Sequence, residues 1–453
     1  MQNKKNTLLF SLFLMGLIAT GQNPIVPNKG LNDPHIHIFK DTAYVYASHD
    51  KSIENKRFIM EDWWVWSSPD LVNWTHRSTL KPEETYIRKP FEGCWATDVG
   101  YRNGKYYWYF SERNQQTGVM VADSPTGPWS DPLGEPLLKE DLTPSDEYDM
   151  AIFEEDGEHY IIFGVWDYYI AKLNYDMVSL AETPRKIEIK NPRGPYNQDG
   201  NNTEKPTDDK PFVHKYKDKY YLSWGCFYAI SDNLYGPYNY IDTVIKKESF
   251  AKGYEAPTWP NGFLQGRHGS FFEWHNQWYY TYCDISQTGN RWFRDTFISY
   301  VHYKDNGEIA TIRVDGIGVA NYNADQPVIE AEDYFKMEGM VKKEYGENGF
   351  IVATNAKKSY LNFPNIKEIK GYSGITFTID SIEESQFSIE IRRNQLDGEV
   401  LASKKIQIAP LDKNFTSVSI PITTGFEETE NLYFLIHKKS GGAVEIDNFK
   451  FYK

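Results

Sequence analysis

Four acidic residues and a histidine recur at equivalent points of a repeated pattern, and they are the side-chain types that acid/base chemistry uses. Asp33, Asp98 (after Thr97), Asp149, Asp209 and His268 each open a segment in which an apolar run, a tight polar turn and an aromatic strand follow. The segments are NDPHIHIFKDTAYVYAS from Asn32, CWATDVGYRNGKYYWYFS from Cys94, YDMAIFEEDGEHYIIFG from Tyr148, TDDKPFVHKYKDKYYLSW from Thr207 and RHGSFFEWHNQWYYTYC from Arg267. In a radial array of such repeats the opening residues face one common pocket. A lone Asp at such a point is an ordinary turn or strand-edge residue bonding the backbone, whereas several at matching points favour a site. Carboxyl groups brought together push one another's pKa apart, so one stays protonated while another is ionised. Glycosidic bond hydrolysis needs that pair of states. One group protonates the leaving oxygen and the other activates water, at a separation of about 6.5–9.5 Å when the reaction inverts the anomeric centre.

The elements that must position these residues follow from the repeat length. The turn residues Asp41, Gly104, Gly157, Asp218 and Asn276 are 53 to 63 positions apart, room for about four short strands per repeat. A second motif returns within the repeats as SSPDLVNWT, ADSPTGPWS, ISDNLYGPYN and, more weakly, LNYDMVSLAE. Its Pro, Gly, Asn and Asp supply turn geometry, and the aromatic that follows packs between neighbouring sheets. No long amphipathic helical period is present. The expected fold is all-β, a five-bladed β-propeller over residues 24–323 followed by a jelly-roll-like β-sandwich over 324–453. All 13 Trp lie between Trp63 and Trp292, whereas the C-terminal region alternates at period two in runs such as GITFTID and FSIEIRR. The stretch Asn321–Pro327 reads as the linker.

Composition narrows the partners. The chain has 453 residues, 16% aromatic, with 49 basic against 63 acidic side chains and a net charge of −14. That balance repels nucleic-acid phosphates and anionic membranes and suits a neutral partner such as carbohydrate. Lys4 and Lys5, the apolar run Leu8 to Ile18 and the small residues Ala19-Thr20-Gly21 read as a signal peptide over 1–21;. Export to the periplasm or the medium follows, and the run is too short for a membrane span. Cys94, Cys226 and Cys283 are odd in number and widely spaced, so they read as small buried hydrophobes.

Asn32-Asp33-Pro34-His35-Ile36, YDMAIFEEDG through Asp149 and RHGSFFEWHNQWYYTYC resemble the blade-opening motifs of glycoside hydrolase family 43. The likeness covers nearly all of 24–323. It implies an inverting glycosidase acting chiefly on arabinofuranosides and xylosides. By the same resemblance Asp33 is the general base, Asp149 positions substrate and tunes the acid, and His268 lies near an ion or water in the channel. The general acid departs from the pattern. The family places Glu before a Gly-Pro or similar pair, and this chain has Asp208-Asp209-Lys210-Pro211. Asp209 holds the register, one methylene short, and Glu204 and Glu255 stand as alternatives. His35, Trp95, Asp98, Trp166 and Arg291 are candidate sugar contacts, with Arg294 beside them. Such tryptophans also serve as packing between blades.

The region from Ile329-Glu330-Ala331-Glu332 to GGAVEIDNFKF is similar to family 6 carbohydrate-binding modules. Glu330, Glu332 and Asp447 could there hold a structural calcium, while catalysis needs no cofactor. The module has no Trp, so carbohydrate binding and plain stabilisation are both open. The function expected is release of pentose units from a plant or algal polysaccharide, with a non-catalytic glycan-binding propeller and a related furanosidase or galactosidase as alternatives.

Overall fold

The computed structural model describes residues 22–254, 259–346, 349–381, 383–409 and 415–453. Residues 1–21, the expected signal peptide, and Glu255 lie outside them. Apart from three short 3-10 turns, the elements among the described residues are strands.

Five sheets, antiparallel but for one short strand, follow one another from residue 31 to 301. Their first strands are Leu31–Ile38, Cys94–Arg102, Ala151–Glu155, Pro211–Tyr216 and Gly269–Trp274. Each pairs with the next strand through a tight hairpin. The hairpins form where both central residues accept positive φ, as at Lys40-Asp41, Asn103-Gly104, Asp156-Gly157 and His275-Asn276, a twist that matches the flanking strands. The sheets have four, three, four, five and three strands in chain order. Ile189–Lys190, from the connection out of the third sheet, pairs parallel with the outer strand of the fourth.

The first strands touch in cyclic order, each meeting the first strand of the next sheet and the fifth meeting the first. Residues near the start of the described chain help close this circuit: Asn23 bonds through its side chain to both backbone groups of Ile298, and the Ile25 N–H donates to Thr296. Aromatic side chains fill the space between sheets. Trp63, Trp108 and Trp224 are fully buried. Trp63 packs on Phe110 at 4.7 Å between ring centres, and Tyr46 packs edge-on against Trp108. Burying about 150–250 Å² per aromatic ring contributes roughly 4–6 kcal/mol at 25 cal/mol/Å², an upper bound before ordering entropy is subtracted. The three cysteines are buried and free.

Beyond residue 321 the chain forms two sheets of six strands each over one shared core, in which Phe363, Phe377, Phe434 and Phe449 meet. The stretch expected to be a linker is instead built in. Asn321, Tyr322 and Ala324 are buried, and Tyr322–Asn323 pairs with Ile366 and Lys367. The Tyr322 hydroxyl bonds that of Tyr300 at 2.8 Å, and just beyond the stretch Gln277 donates to the Glu332 and Tyr334 carbonyls and Trp274 packs on Phe335.

Candidate active site

The residues that open the first strands carry unusual backbone conformations. Asp33 has φ 47°, Asp149 φ 54° and Lys210 φ 60°, values that cost a non-glycine residue free energy and cluster at functional sites. In the first sheet the register slips between Asn32 and His35, and such a bulge re-aims side chains. Gly269, directly after His268, could not be larger: a Cβ there would collide with the Thr281 carbonyl.

These conformations bring Asp33, Asp149, Asp209 and His268 to one cavity of about 300 Å³, with Arg294 and Asn114 also polar and Phe58, Met60, Trp95 and Tyr148 forming an apolar wall. The size is at the small end for ligand sites, which run from about 300 to 1,000 Å³. His268 spans the floor. Its Nδ1 lies 3.1 Å from Asp33 Oδ1 and its Nε2 lies 2.5 Å from Asp209 Oδ1. Asp33 also accepts from Arg294 Nη1 at 3.0 Å and from the Ser48 hydroxyl at 2.9 Å. Asp149 and Asp209 bring carboxylate oxygens within 4.8 Å of each other. Asp149 is 4% exposed, whereas the Asp209 side chain is 28% exposed.

Charge is divided unequally among the three carboxyls. Burial pushes the Asp33 pKa upward, but the Arg294 guanidinium and the His268 bond outweigh it and hold the group far below the carboxylate range. Burial and the charge of Asp209 push Asp149 well above that range. At Asp209 burial acts upward, yet His268 wins and the group is lowered. Burial alone would lower His268, and its two carboxylate partners raise it well above an ordinary imidazole. The site therefore favours charge on Asp33, Asp209 and His268 and a proton on Asp149. Two neighbouring carboxyls sharing one proton titrate as a pair. Asp208, next in the chain, is pushed up to about 8 by burial and by Asp209.

The other expected contacts fall elsewhere. His35 and Asp98 are fully buried and do not reach the cavity surface. Asp98 accepts from His37 Nε2 at 2.6 Å, from the Val99 N–H and from the Ile152 N–H, and His35 Nδ1 lies 2.8 Å away. These two residues tie the first three sheets together. Trp95 is in the cavity wall, but Trp166 lines a separate cleft with Tyr168 and Pro206. Arg291 stacks on Trp292 at 4.2 Å; Arg294, three residues on, is the arginine of the site. Glu204 is exposed on the connection before the fourth sheet and Glu255 lies outside the described residues, so Asp209 is the candidate acid at the cavity among the described residues. Phe58, Met60 and Asn114 have no sequence signal of their own, because they come from a third strand and connections rather than from the repeat openings, whereas Tyr148 stands beside Asp149 at the opening of the third segment.

His268 offers a ring nitrogen within 4.8 Å of carboxylate oxygens of Asp149 and Asp209, a group that could hold the expected ion, while in this arrangement its two nitrogens face Asp33 and Asp209. In the C-terminal region, burial followed by the charges of Asp333 and Asp447 pushes Glu330 to about 7, and burial followed by Asp333 pushes Glu332 to about 9. One Glu332 carboxylate oxygen is buried without a partner. Crowded, under-neutralised carboxylates of this kind fit a hard cation, although Glu330, Glu332 and Asp447 do not converge within 4.8 Å among the described residues.

An all-β chain that presents neighbouring carboxyls with affinities for a proton pushed in opposite directions to a small, partly apolar cavity has the equipment of an acid/base hydrolase;. Residues 21–309 match the profile of glycosyl hydrolases family 43, and the chain belongs to that family; it is a glycosidase. It is similar to a xylosidase/arabinosidase of Bacteroides ovatus, 28% identical over 65% of this chain and 98% of that protein. An arabinoxylan arabinofuranohydrolase of Paenibacillus polymyxa is 26% identical over 96% of this chain and 75% of its own. A β-xylosidase/α-arabinofuranosidase from a compost metagenome, solved with xylotriose, is 26% identical with a TM-score of 0.51 over 64% of this chain and 96% of that one. The arabinoxylan arabinofuranohydrolase of Bacillus subtilis, solved with cellotetraose, shares the fold over 96% of this chain and 98% of its own, at 21% identity and a TM-score of 0.54.

Proposed function

We propose that this glycosidase inverts at the anomeric carbon and releases arabinofuranosyl or xylosyl units from a plant or algal polysaccharide or its oligosaccharides. The observation that carries the reading is the His268 bridge. An imidazole spanning Asp33 and Asp209 at 3.1 and 2.5 Å separates the two carboxyls by about 7 Å, inside the window of roughly 6.5–9.5 Å for inversion. Asp33 is the base and Asp209 the acid. The resting proton on Asp149 passes to Asp209, the carboxyl more open to the cavity, and then to the glycosidic oxygen as its bond to C1 breaks. Water attacks C1 from the opposite face and loses its proton to Asp33; after the sugar leaves, Asp33 gives that proton to solvent and Asp149 takes one up from it, which restores the starting state. A carboxylate as stabilised as Asp33 is a weak base, so its role is to orient the water and accept a proton late, when the transition state resembles an oxocarbenium ion.

The five sheets are the blades of a propeller, a reading supported by the cyclic contacts of their first strands, and the C-terminal pair of sheets is a β-sandwich like a carbohydrate-binding module. The xylosidase and arabinofuranosidase names of the relatives support a pentose substrate, as does the small cavity. Export by the leader at 1–21 and a structural calcium near Glu330, Glu332 and Asp447 belong to the same reading.

Aryl arabinofuranosides, xylosides and galactosides assayed with the full chain, Asp33→Asn and Asp209→Asn test it. Asp33→Asn is expected to lose at least about 10³-fold on the best pentoside. Asp209→Asn should lose far less with a nitrophenyl leaving group, which needs little protonation, than with an alkyl one. Full activity of Asp33→Asn, or equal losses of Asp209→Asn on both leaving groups, would overturn the assignment.

A further inference from the structure

Asp33 sits where the first sheet skips. The ladder pairs Asn32 with Ser48 and next His35 with Tyr46, passing over Asp33 and Pro34. A buried residue left out of a ladder must find another acceptor for its N–H. At Asp33 that acceptor is a sulphur. The Asp33 N–H donates to Cys283 Sγ at 3.1 Å, across 250 positions of sequence, and the same Sγ lies 3.6 Å from Asp33 Oδ1, within reach of a thiol hydrogen bond;.

Cys283 is fully buried and lies outside the cavity lining. Burial, and after it the charge of Asp33, push the thiol up to about 12, so it keeps the proton that it donates. Its main chain is tied to the site as well. The Cys283 N–H donates to the His268 carbonyl at 2.9 Å, and the Cys283 carbonyl accepts from Arg267 at 3.4 Å. One residue thus holds the backbone of His268 together with the amide and the carboxylate of Asp33, the two residues whose side chains meet at 3.1 Å. The other cysteines are placed differently: the Cys94 thiol faces the Phe91 carbonyl at 3.9 Å and the Cys226 thiol the Leu264 carbonyl at 3.6 Å.

A thiol suits this place because it accepts from the amide through its lone pairs while it donates its single proton to the carboxylate. A methyl group would do neither. It would leave a buried N–H unpaired at a residue whose φ of 47° persists only where its surroundings over-determine it;. Asp33 Oδ1 would still have Arg294 and His268, so the carboxylate keeps its charge and loses its aim.

We propose that Cys283 is a positioning residue of the hydrolytic site, accepting from the amide and donating to the carboxylate of Asp33 so that the base keeps the left-handed conformation that turns it to the cavity. This part rests on the base role proposed for Asp33 above. A small misplacement of a reacting group lowers turnover steeply. Sugar binding is little affected, because the thiol does not line the cavity.

The test has two arms. In the first, kcat and KM on the best aryl pentoside are measured for the full chain, Cys283→Ala, Cys283→Ser and Asp33→Asn. Cys283→Ala is expected to lose about 10-fold or more in kcat with KM changed less than about 3-fold. Cys283→Ser, which keeps a donor and an acceptor on the same carbon, should recover most of that loss. In the second arm the infrared S–H stretch of Cys283 is isolated as the difference between the parent and Cys283→Ser. Donation to a carboxylate weakens the S–H bond, so this band should lie below those of Cys94 and Cys226, and Asp33→Asn should move it up. The second arm needs no activity and decides the matter if Cys283→Ala does not fold. An undiminished kcat in a folded Cys283→Ala, a loss carried wholly by KM, no recovery by serine, or a band that Asp33→Asn leaves in place overturns the inference. If Asp33→Asn is inactive in that case, the base role stands and the part given to Cys283 falls alone; if Asp33→Asn keeps full activity, the base role itself has failed, whatever the band shows.

Discussion

Replacing Arg294 by Met should destabilise the protein strongly, and the size of the effect can be worked from its contacts. The guanidinium is 5% exposed and donates to Asp33 Oδ1 at 3.0 Å, to both oxygens of Asp50 at 3.0 and 3.1 Å and to Asn32 Oδ1 at 2.7 Å. Removing it leaves Asp33 with His268 and Ser48, but leaves the buried Asp50 without its cation. Breaking a buried ion pair on one side costs about 3–5 kcal/mol. Asp50 limits the cost by taking up a proton, since burial already raises its pKa even beside Arg294. A loss of about 3–4 kcal/mol, at roughly 2–4 °C per kcal/mol for a domain of 150–250 residues, lowers the melting temperature by about 6–16 °C. The pH dependence has a definite sign. Arg294 depresses the Asp33 pKa, so its stabilisation is complete above the unfolded value of about 3.9 and is lost as pH falls through the lower folded value. The gap between the two proteins is therefore widest at neutral pH and narrows in acid. Calorimetry of both full-length chains over a pH series measures it. A melting temperature within about 1 °C of the parent at neutral pH, or a gap that widens in acid, would refute the reasoning.

Other expectations follow from the same geometry. His268 is raised by its two carboxylates, so its contribution is present below the unfolded value of about 6.5 and lost as pH rises through the folded value; His268→Gln should lack the parent's alkaline loss of thermal stability, and equal alkaline slopes would count against the imidazolium bridge. Gly269→Ala places a Cβ against the Thr281 carbonyl and should cost on the order of 1–3 kcal/mol through a forced backbone shift, read by urea denaturation; an unchanged midpoint would show that the strand can move. Calcium should raise the melting temperature more at alkaline pH, where Glu332, pushed up to about 9, gives up its proton. About 2.7 kcal/mol is gained at a hundredfold excess over Kd, and Glu332→Gln should abolish the shift. A calcium response unaltered by that substitution would place the ion elsewhere.

The hairpins were the most legible part of the sequence. Asn103-Gly104 and Asp156-Gly157 announce tight turns because their φ preferences are local, and each stands between the two strands expected around it. Asp33, Asp149, Asp209 and His268 were legible as a group because they recur at one point of the repeat. Asp98 shares that point and His35 lies two residues past it, and yet both are buried and turned to one another, since position in a repeat does not say which way a side chain points past a bulge. Arg291 and Arg294 were indistinguishable in the sequence, being three residues apart in one connection. The stretch 321–327 looked like a linker because its short-range composition does not reveal the surface that it meets.

The sequence by itself determined the all-β character, the alternation of strand and turn, and the small set of residues from which a site could be drawn, because backbone preference and hydrophobic period act over a few neighbouring residues. Tertiary structure alone decided which charges meet: Arg294 reaches Asp33 across 261 positions, Lys210 reaches His35 across 175, and His268 joins Asp33 across 235. Protonation follows from those meetings, since the free energy of a buried charge depends on its neighbours in space and on the water it has lost.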